Sequence, residues 1–478
     1  MCQKNETKET MKINRLTQSA LMAGVVTVPT ALSAATPSSA APKQERPNII
    51  LIMTDQQTAS AMSCAGNVDL HTPAMDALAE DGVRLDRAYC PFPLSGPCRA
   101  SLMTGLMPSE IGATDNGIQP DEEAMRQSIG YLMRDAGYEA MYAGKWHASE
   151  VNLPEEGRGF KKVCNIDDRT MVENIATALD GRDKEKPLFL VASFLDPHEI
   201  CEWTRRQTLP YGEVELPRAE ECPNLPKNFQ KSTYEPEAIA LRKASHPRSH
   251  DTALYTEDNW REYLYAYYRL TERVDAHIGN LVALLKAEGL YDNSLILFCS
   301  DHGDGAASHQ WNQKWILQEE CVNVPLIVKA PASDRKALRG ATNNVALSNI
   351  GLDLVRTICD YGGVELDSNK YRGKSLRGVL HKQDAPLHEE VFIETFLSEV
   401  NVKGWCIVEG KYKYVLYNHF QNREQLFDME NDRGEMQNLA VESRHKPTIH
   451  RLRRKMYEWG LHTGDKQLIK ALGPFFNN

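Results

Sequence analysis

Apolar residues in this chain gather into short unbroken runs more often than they alternate with polar ones. Residues 48–53 (NIILIM) form such a run, and it stops abruptly at Thr54-Asp55. A run of that length with no polar face predicts a strand buried on both sides, as in a parallel sheet. Residues 140–143, 188–194, 295–299 and 325–328 repeat the pattern. Residues 72–82 predict a helix, with Pro73 in its first turn and Gly82 at its end. Residues 257–288 predict a much longer one. Apolar strands alternating with helices define an α/β sheet covered on both faces. After about residue 385 the pattern changes. Residues 391–394, 405–408 and 412–417 predict short antiparallel strands, and 448–459 a closing helix. The expected division is a large α/β domain over 47–385 and a small α+β subdomain over 386–478.

The N-terminal pattern is different. Lys12 and Arg15 precede an apolar run over 20–28, and the small residues Ala31, Ser33, Ala34 and Ala35 follow. This is the layout of a secretory signal peptide, with Met11 as the start. Residues 1–34 are then leader and upstream residues, and 35–46 a linker rich in Pro, Ser and Ala. The competing reading is a disordered tail. The apolar run is too short to span a bilayer, and no other stretch qualifies, so a soluble periplasmic protein is expected. No Cys adjoins the cleavage region to carry a lipid anchor.

Composition narrows the class. With 42% apolar and 25% charged residues the chain is globular rather than disordered. A net charge of -10 argues against a nucleic-acid binder. It leaves room for an anionic substrate, because a few clustered Lys and Arg suffice for a positive cleft. The eleven Cys include no CxxC pair and no zinc-finger spacing; export permits disulfides, but buried free thiols fit equally well.

Four polar clusters directly follow predicted strands: Thr54-Asp55-Gln56, Gly144-Lys145-Trp146-His147, Asp196-Pro197-His198 and Ser300-Asp301-His302-Gly303. Ligands of open α/β sheets bind at the carboxyl ends of the strands. Taken singly, Asp55 or Asp301 is as readily a helix N-cap, a Lys a solvated charge and a His a structural residue. The coincidence of four clusters at four strand ends favours a site.

The segment Ser95-Gly96-Pro97-Cys98-Arg99-Ala100-Ser101-Leu102-Met103-Thr104-Gly105 resembles the signature of the formylglycine-dependent sulfatases. In that family a Cys or Ser followed by x-Pro-x-Arg is oxidised to an aldehyde, and Ser95 makes this the serine-type variant. The resemblance extends to Asp55-Gln56, Gly144-Lys145-Trp146-His147, Asp301-His302-Gly303, Lys314, Gly410-Lys411-Tyr412-Lys413-Tyr414 and Glu424-Gln425-Leu426-Phe427-Asp428. It thus covers almost the whole mature chain. It implies an alkaline-phosphatase-like sulfatase fold, a large mixed sheet flanked by helices, and a sulfuric ester hydrolase. It also implies a maturation enzyme that converts Ser95 to 3-oxoalanine (formylglycine). In overall likeness the chain resembles bacterial glycosaminoglycan uronate 2-O-sulfatases. That implies a sulfated oligosaccharide substrate, the 2-O-sulfate of a terminal unsaturated uronic acid of heparin/heparan or chondroitin/dermatan sulfate.

The chemistry explains the residue types. A sulfate monoester is an anion, so its hydrolysis needs positive charge on the sulfuryl oxygens, a positioned nucleophile and a proton for the departing alcohol. A plain serine would stop as a stable sulfate ester. By the resemblance, Asp55, Gln56, Asp301 and His302 hold one divalent ion. Two carboxylates and an amide oxygen suit Ca2+, and the imidazole leaves Mg2+ or a transition metal open. Lys145 and Lys314 grip the sulfate, Arg99 orients the aldehyde hydrate, His147 is the base for sulfate release, and His198 is the acid for the leaving alcohol. Histidine titrates near neutrality and suits both roles. His309 is the reserve candidate. Ser95 itself is compatible with an ordinary helix N-cap. Arg205, Arg206, Arg242, Lys243 and Arg248 could meet a uronate carboxylate, and Asp115 and Asn116 could meet sugar hydroxyls; solvated loops are the alternative. Two other functions remain open: a phosphomonoester or phosphodiester hydrolase of the same superfamily, and a catalytically dead carbohydrate-binding homologue.

Overall fold

The structure, a computed structural model, describes residues 46–245, 252 and 254–476. The expected leader, nearly all of the expected linker and Arg248 lie outside the described residues. In chain order the strands are β1 (Asn48–Thr54), β2 (Val83–Leu85), β3 (Ala88–Tyr89), β4 (Glu139–Gly144), β5 (Lys161–Cys164), β6 (Leu188–Ser193) and β7 (Ser294–Ser300). They continue with β8 (Leu326–Lys329), β9 (Ala341–Asn343), β10 (Ser348–Asn349), β11 (Glu390–Leu397), β12 (Val402–Glu409), β13 (Tyr412–Tyr417) and β14 (Glu424–Asp428).

Eight of them form the main sheet, in the order β5-β4-β6-β1-β7-β8-β2-β9. β1 runs parallel to both neighbours, with Ile50 opposite Leu190 on β6 and Ile296 on β7. β8 is antiparallel to β7 and β2, so the sheet is mixed. The unbroken apolar run of β1 follows from its two-sided burial. Ile49, Leu51 and Met53 enter one core with Leu102, Leu354 and Ile358. Ile50 and Ile52 enter another with Met171, Val274 and Ile278. Helices Ser95–Thr104 and Ile350–Gly362 supply the first face; Pro73–Asp81, Asp168–Asp180 and Glu257–Ala287 supply the second.

The C-terminal strands form a separate antiparallel sheet, β11-β12-β13-β14. Its Trp405, Ile407, Tyr414 and Leu416 pack on Ile449, Leu452 and Met456 of helix Lys446–Thr463. Its other face, through Cys406, Val408, Val415 and Tyr417, joins the core of the main sheet.

The expected long strands and helices are present, with boundaries shifted by a residue or two at most elements. Thr72 and Gly82 are the caps of helix Pro73–Asp81 rather than members of it. β5 escaped the pattern because it is a half-exposed sheet edge with no apolar run. The pairs β3 and β10 are too short to show any periodicity. All ten cysteines among the described residues are free thiols. No helix among the described residues is long and apolar enough to cross a membrane.

Gly144 closes β4 at a φ of +92°, and a Cβ there would lie 2.1 Å from the Ser193 carbonyl oxygen on β6. Left-handed backbone and a backbone clash coincide at the turn that delivers Lys145. Gly144→Ala is expected to destabilise the protein by about 3 kcal/mol or more. A thermal scan that found the apparent Tm unchanged would contradict this account of the turn.

Candidate active site

The four polar clusters follow β1, β4, β6 and β7, which are four adjacent strands. Parallel pairing therefore brings them to one edge of the sheet, where helix Ser95–Thr104 begins. Ser95 is the first helical residue and Leu94 the cap, so the N-cap reading of Ser95 is incorrect. The Ser95 side chain is buried and turned into the site. Its Oγ lies 3.0 Å from His302 Nε2 and 3.4 Å from Asp55 Oδ2.

Arg99, one turn further along the helix, is fully buried. Its Nε donates to Asp301 Oδ2 at 2.7 Å and its Nη2 to Asp55 Oδ2 at 2.9 Å. Its Nη1 donates to the Lys145 carbonyl at 2.9 Å and to Ser193 Oγ at 2.7 Å. Lys145 Nζ also meets Asp55 Oδ2, at 2.6 Å. Every donor therefore crowds one oxygen of Asp55. The other, Oδ1, is buried without a hydrogen bond. On His302, Nδ1 donates to the Gly303 carbonyl at 2.9 Å, which leaves Nε2 with its lone pair. Asp55, Asp301 and His302 offer donor atoms that all lie within 4.8 Å of one another. An orphaned carboxylate oxygen, a second carboxylate and a presented imidazole nitrogen fit a divalent cation.

Gln56 stands beside them at a φ of +67°. Its backbone N–H donates to Asp301 Oδ1 at 3.1 Å, and its side-chain oxygen accepts from Lys314 Nζ at 2.7 Å. His147, also left-handed at +50°, has a buried Nδ1 with no partner. His198 Nε2 lies 4.0 Å from Asp55 Oδ1. The structure thus brings together Ser95, Arg99, Asp55, Asp301, His302, Lys145, His198, Gln56 and Lys314.

Burial and charge together set the protonation states. Burial alone would raise the Asp55 pKa, but Lys145, His198, Arg99 and Lys314 together hold it well below the usual range. Burial, reinforced by Lys145 and Arg99, pushes His147 down to about 3. Burial, with Lys145 and Lys314, puts His198 well below its ordinary value. Burial lowers Lys145 too, against the pull of Asp55.

His309 does not belong here: its ring groups with Glu320 and Glu435 instead. Arg205 pairs loosely with Glu202 on the surface, and Lys243 donates to the His309 carbonyl. Asn116 Oδ1 accepts from the Gly96 N–H at 2.9 Å, at the head of the Ser95 helix. Asp115 accepts from the Asn116 N–H. Arg242 is buried, its guanidinium 4.5 Å above the Trp315 ring.

Sequence reasoning passed over Asp304. Its carboxylate accepts from Gln56 Nε2 at 2.7 Å, Tyr263 Oη at 2.5 Å and the Gln313 N–H at 3.0 Å. It fixes the Gln56 amide with its oxygen toward Lys314. A carboxylate three residues after Asp301 was the available signal. Tyr267, whose hydroxyl donates to the Gln56 carbonyl at 2.8 Å, gave no signal of its own.

This fold is that of a known class of hydrolase. A family model described as "Sulfatase" matches residues 47–364, and one described as "N-sulphoglucosamine sulphohydrolase, C-terminal" matches residues 307–461. The chain belongs to the sulfatase family and is a sulfuric ester hydrolase. It is 28% identical over 437 residues to the Delta 4,5-hexuronate-2-O-sulfatase of Bacteroides thetaiotaomicron, covering 86% of this chain and 88% of that protein. A solved structure described as a 2-O GAG sulfatase superposes with a TM-score of 0.77 at 26% identity, over 88% of this chain and 93% of that one. The phosphonate monoester hydrolase of Agrobacterium radiobacter superposes at 0.72 with 20% identity, over 87% and 96%, which shows a shared fold alone.

Arg99→Met would leave Asp55 and Asp301 buried without their common partner. The expected cost is about 3–5 kcal/mol, read as a lowered apparent Tm, with part of the loss recovered on adding a divalent cation. A variant as stable as the parent in chelator would contradict the pairing.

Proposed function

We propose that the protein is an exported carbohydrate sulfatase that removes the 2-O-sulfate of a terminal uronic acid of a glycosaminoglycan, through a formylglycine made from Ser95. The observation that carries the sulfatase mechanism is the placement of Ser95. It is the first residue of a ten-residue helix, within hydrogen-bonding distance of His302, beside two carboxylates. Helix N-termini favour anions, and Lys145 and Lys314 add positive charge to the same edge.

Once oxidised and hydrated, the Ser95 side chain carries two hydroxyls, one to attack sulfur and one whose collapse releases sulfate and restores the aldehyde. A bound divalent ion, for which Ca2+ suits the oxygen donors of Asp55, Asp301 and Gln56, supplies positive charge to the sulfuryl oxygens. Arg99 holds Asp55 and Asp301 in place and, with Lys145 and His198, helps keep Asp55 ionised. Lys145 and Lys314 exchange Asp55 and Gln56 for sulfate oxygens. His147, neutral beside these cations, takes the proton of the second hydroxyl. His198 gives a proton to the leaving alcohol; burial first, then Lys145 and Lys314, keeps this ring deprotonated, and the bound anion offsets the part due to the lysines.

The uronate reading draws on the likeness to a hexuronate 2-O-sulfatase and on Arg242. This guanidinium is buried over Trp315, the residue after Lys314, and its Nε and Nη2 lack hydrogen bonds. Its Nη2 lies 3.1 Å from Glu399, an exposed carboxylate whose place a uronate carboxylate could take. Export to the periplasm rests on the leader pattern over residues 1–34.

Mass spectrometry of the Ser95 peptide from active protein should show a loss of about 2 Da, the two hydrogens removed on oxidation to the aldehyde. Ser95→Ala should fold normally and lose turnover of sulfate esters. Full turnover by that variant, or faster turnover of phosphate than sulfate esters, would overturn the reading.

On a panel of disaccharides differing only in sulfate position, the 2-O-sulfated uronate should be cleaved fastest. Arg242→Gln should raise its KM about 10- to 100-fold, the ratio expected for a lost charge-assisted hydrogen bond of about 1.5–3 kcal/mol. An aryl sulfate without a carboxylate should show no such change. Equal effects on both substrates would remove Arg242 from the carboxylate subsite.

A further inference from the structure

The loop that carries Lys314 is an unusual piece of backbone. Ala306, Ala307, His309, Gln310, Gln313 and Trp315 all have positive φ, although none is glycine. Such backbone persists only where its surroundings over-determine it. At the start of this loop His309 is fully buried, yet neither ring nitrogen has a hydrogen-bond partner. A neutral imidazole offers one donor and one acceptor, and a native interior rarely leaves both idle.

Two carboxylates face it. Glu320 belongs to helix Glu319–Val322, and Glu435 lies in the loop after β14, itself at a φ of +55°. One donor atom from each of His309, Glu320 and Glu435 lies within 4.8 Å of the other two. The remaining atoms of the group are spoken for. Glu320 Oε1 accepts from Asn228 Nδ2 at 2.8 Å, and Glu435 Oε2 from the Glu319 N–H at 2.7 Å. Asn228 also takes the His309 N–H on its carbonyl at 2.7 Å. Glu320 Oε2 is buried with no partner. Glu435 Oε1 is ion-paired with Lys413 Nζ at 2.8 Å. The group thus gathers an imidazole with no hydrogen bond, a Glu320 oxygen with none, and Glu435, whose Oε1 is shared with Lys413.

Charge points the same way. Three carboxylates, Glu319, Glu320 and Glu435, meet here, and Lys413 pairs with Glu319 and Glu435. Lys243 is paired with Glu235, and Lys227 and Arg433 line the cleft that Glu320 borders. An imidazolium bound to Glu320 would account for part of the imbalance, but no ring nitrogen of His309 makes that hydrogen bond.

We propose that His309, Glu320 and Glu435 bind a divalent cation of borderline softness, of which Zn2+ is the type, at a site separate from Asp55, Asp301 and His302. One imidazole and two carboxylates suit zinc, with water in the fourth position. Calcium wants six to eight oxygens, which this group does not supply. A cleft of about 340 Å³ is lined in part by Asn228, Glu320 and Gly434, so one of the three proposed ligands borders open space. The cation ties three segments together: the loop of Lys314, the helix after it, and the C-terminal loop of Glu435. The site is independent of Ser95 and of the substrate.

The test is zinc binding to the calcium-saturated full chain. Equilibrium dialysis followed by elemental analysis should find about one zinc per chain. Anomalous diffraction at the zinc edge should place it between His309, Glu320 and Glu435. His309→Gln and Glu320→Gln should each lose that zinc and the accompanying rise in Tm, whereas Asp301→Asn should keep both. Should His309→Gln fail to fold, the isosteric Glu320→Gln carries the test. No anomalous peak at this position in the parent protein, or undiminished zinc in the folded variants, overturns the proposal.

Discussion

One guanidinium organises the active site. Arg99 reaches from the Ser95 helix to Asp55 after β1, Asp301 after β7, Ser193 at the end of β6 and the Lys145 carbonyl after β4. Those four strands are neighbours in the sheet, so a single planar donor set reads the position of four strand ends. Arginine suits this because its donors are fixed in a fork and its charge does not titrate away. Buried ion pairs of this kind add little net stability, since desolvation offsets most of the Coulomb attraction. Their effect here is geometric: if the register of β1 against β7 slipped, Asp55 and Asp301 could not share one arginine.

The same arrangement explains how a site rich in charge is kept ready for an anion. The ammonium of Lys145 rests on Asp55 and that of Lys314 on the Gln56 amide. Neither lysine is an isolated buried charge, yet both partners are groups that a cation can engage in their place. The orientation of Gln56 depends on Asp304, and Asp304 in turn on Tyr263 from the long helix Glu257–Ala287. Preorganised donors of this sort need no rearrangement when charge develops on a substrate. The two left-handed residues at strand ends, Gln56 and His147, show where the backbone bends to make the arrangement possible.

Much of this was legible in the sequence because the strands are buried on both faces. β1, β6 and β7 reveal themselves as apolar runs, and a polar triplet after such a run marks a strand's carboxyl end. The SGPCR segment then pointed to Ser95 and Arg99 through its resemblance. Properties that depend on packing rather than pattern stayed hidden. Asp304 and Tyr267 reach Gln56 across 248 and 211 residues of sequence, with Tyr263 behind Asp304, and nothing local distinguishes the two tyrosines from other aromatic residues. Ser95 looked like a cap because capping and the first helical turn differ by one residue; the backbone places Leu94 in that role and frees the serine hydroxyl for the site. His309 lies five residues from Lys314 in sequence, but its left-handed backbone turns the ring toward Glu320 and Glu435.

The C-terminal sheet contributes no donor to the Ser95 site, yet the family resemblance continues through it at Gly410-Lys411-Tyr412-Lys413-Tyr414. Lys413 gives a physical reason. It is fully buried on β13 and paired with Glu319 and Glu435. Glu319 also accepts from the hydroxyl of Tyr89, on β3 just ahead of the Ser95 helix. Lys413 is thus the hinge pin between the C-terminal sheet and the segment that leads from Lys314 into β8. Replacing a lysine there with an apolar residue would strand two carboxylates, and shortening it would withdraw the amine from both. The small sheet acts on the chemistry at a distance, by holding the far side of the loop whose near side presents Lys314.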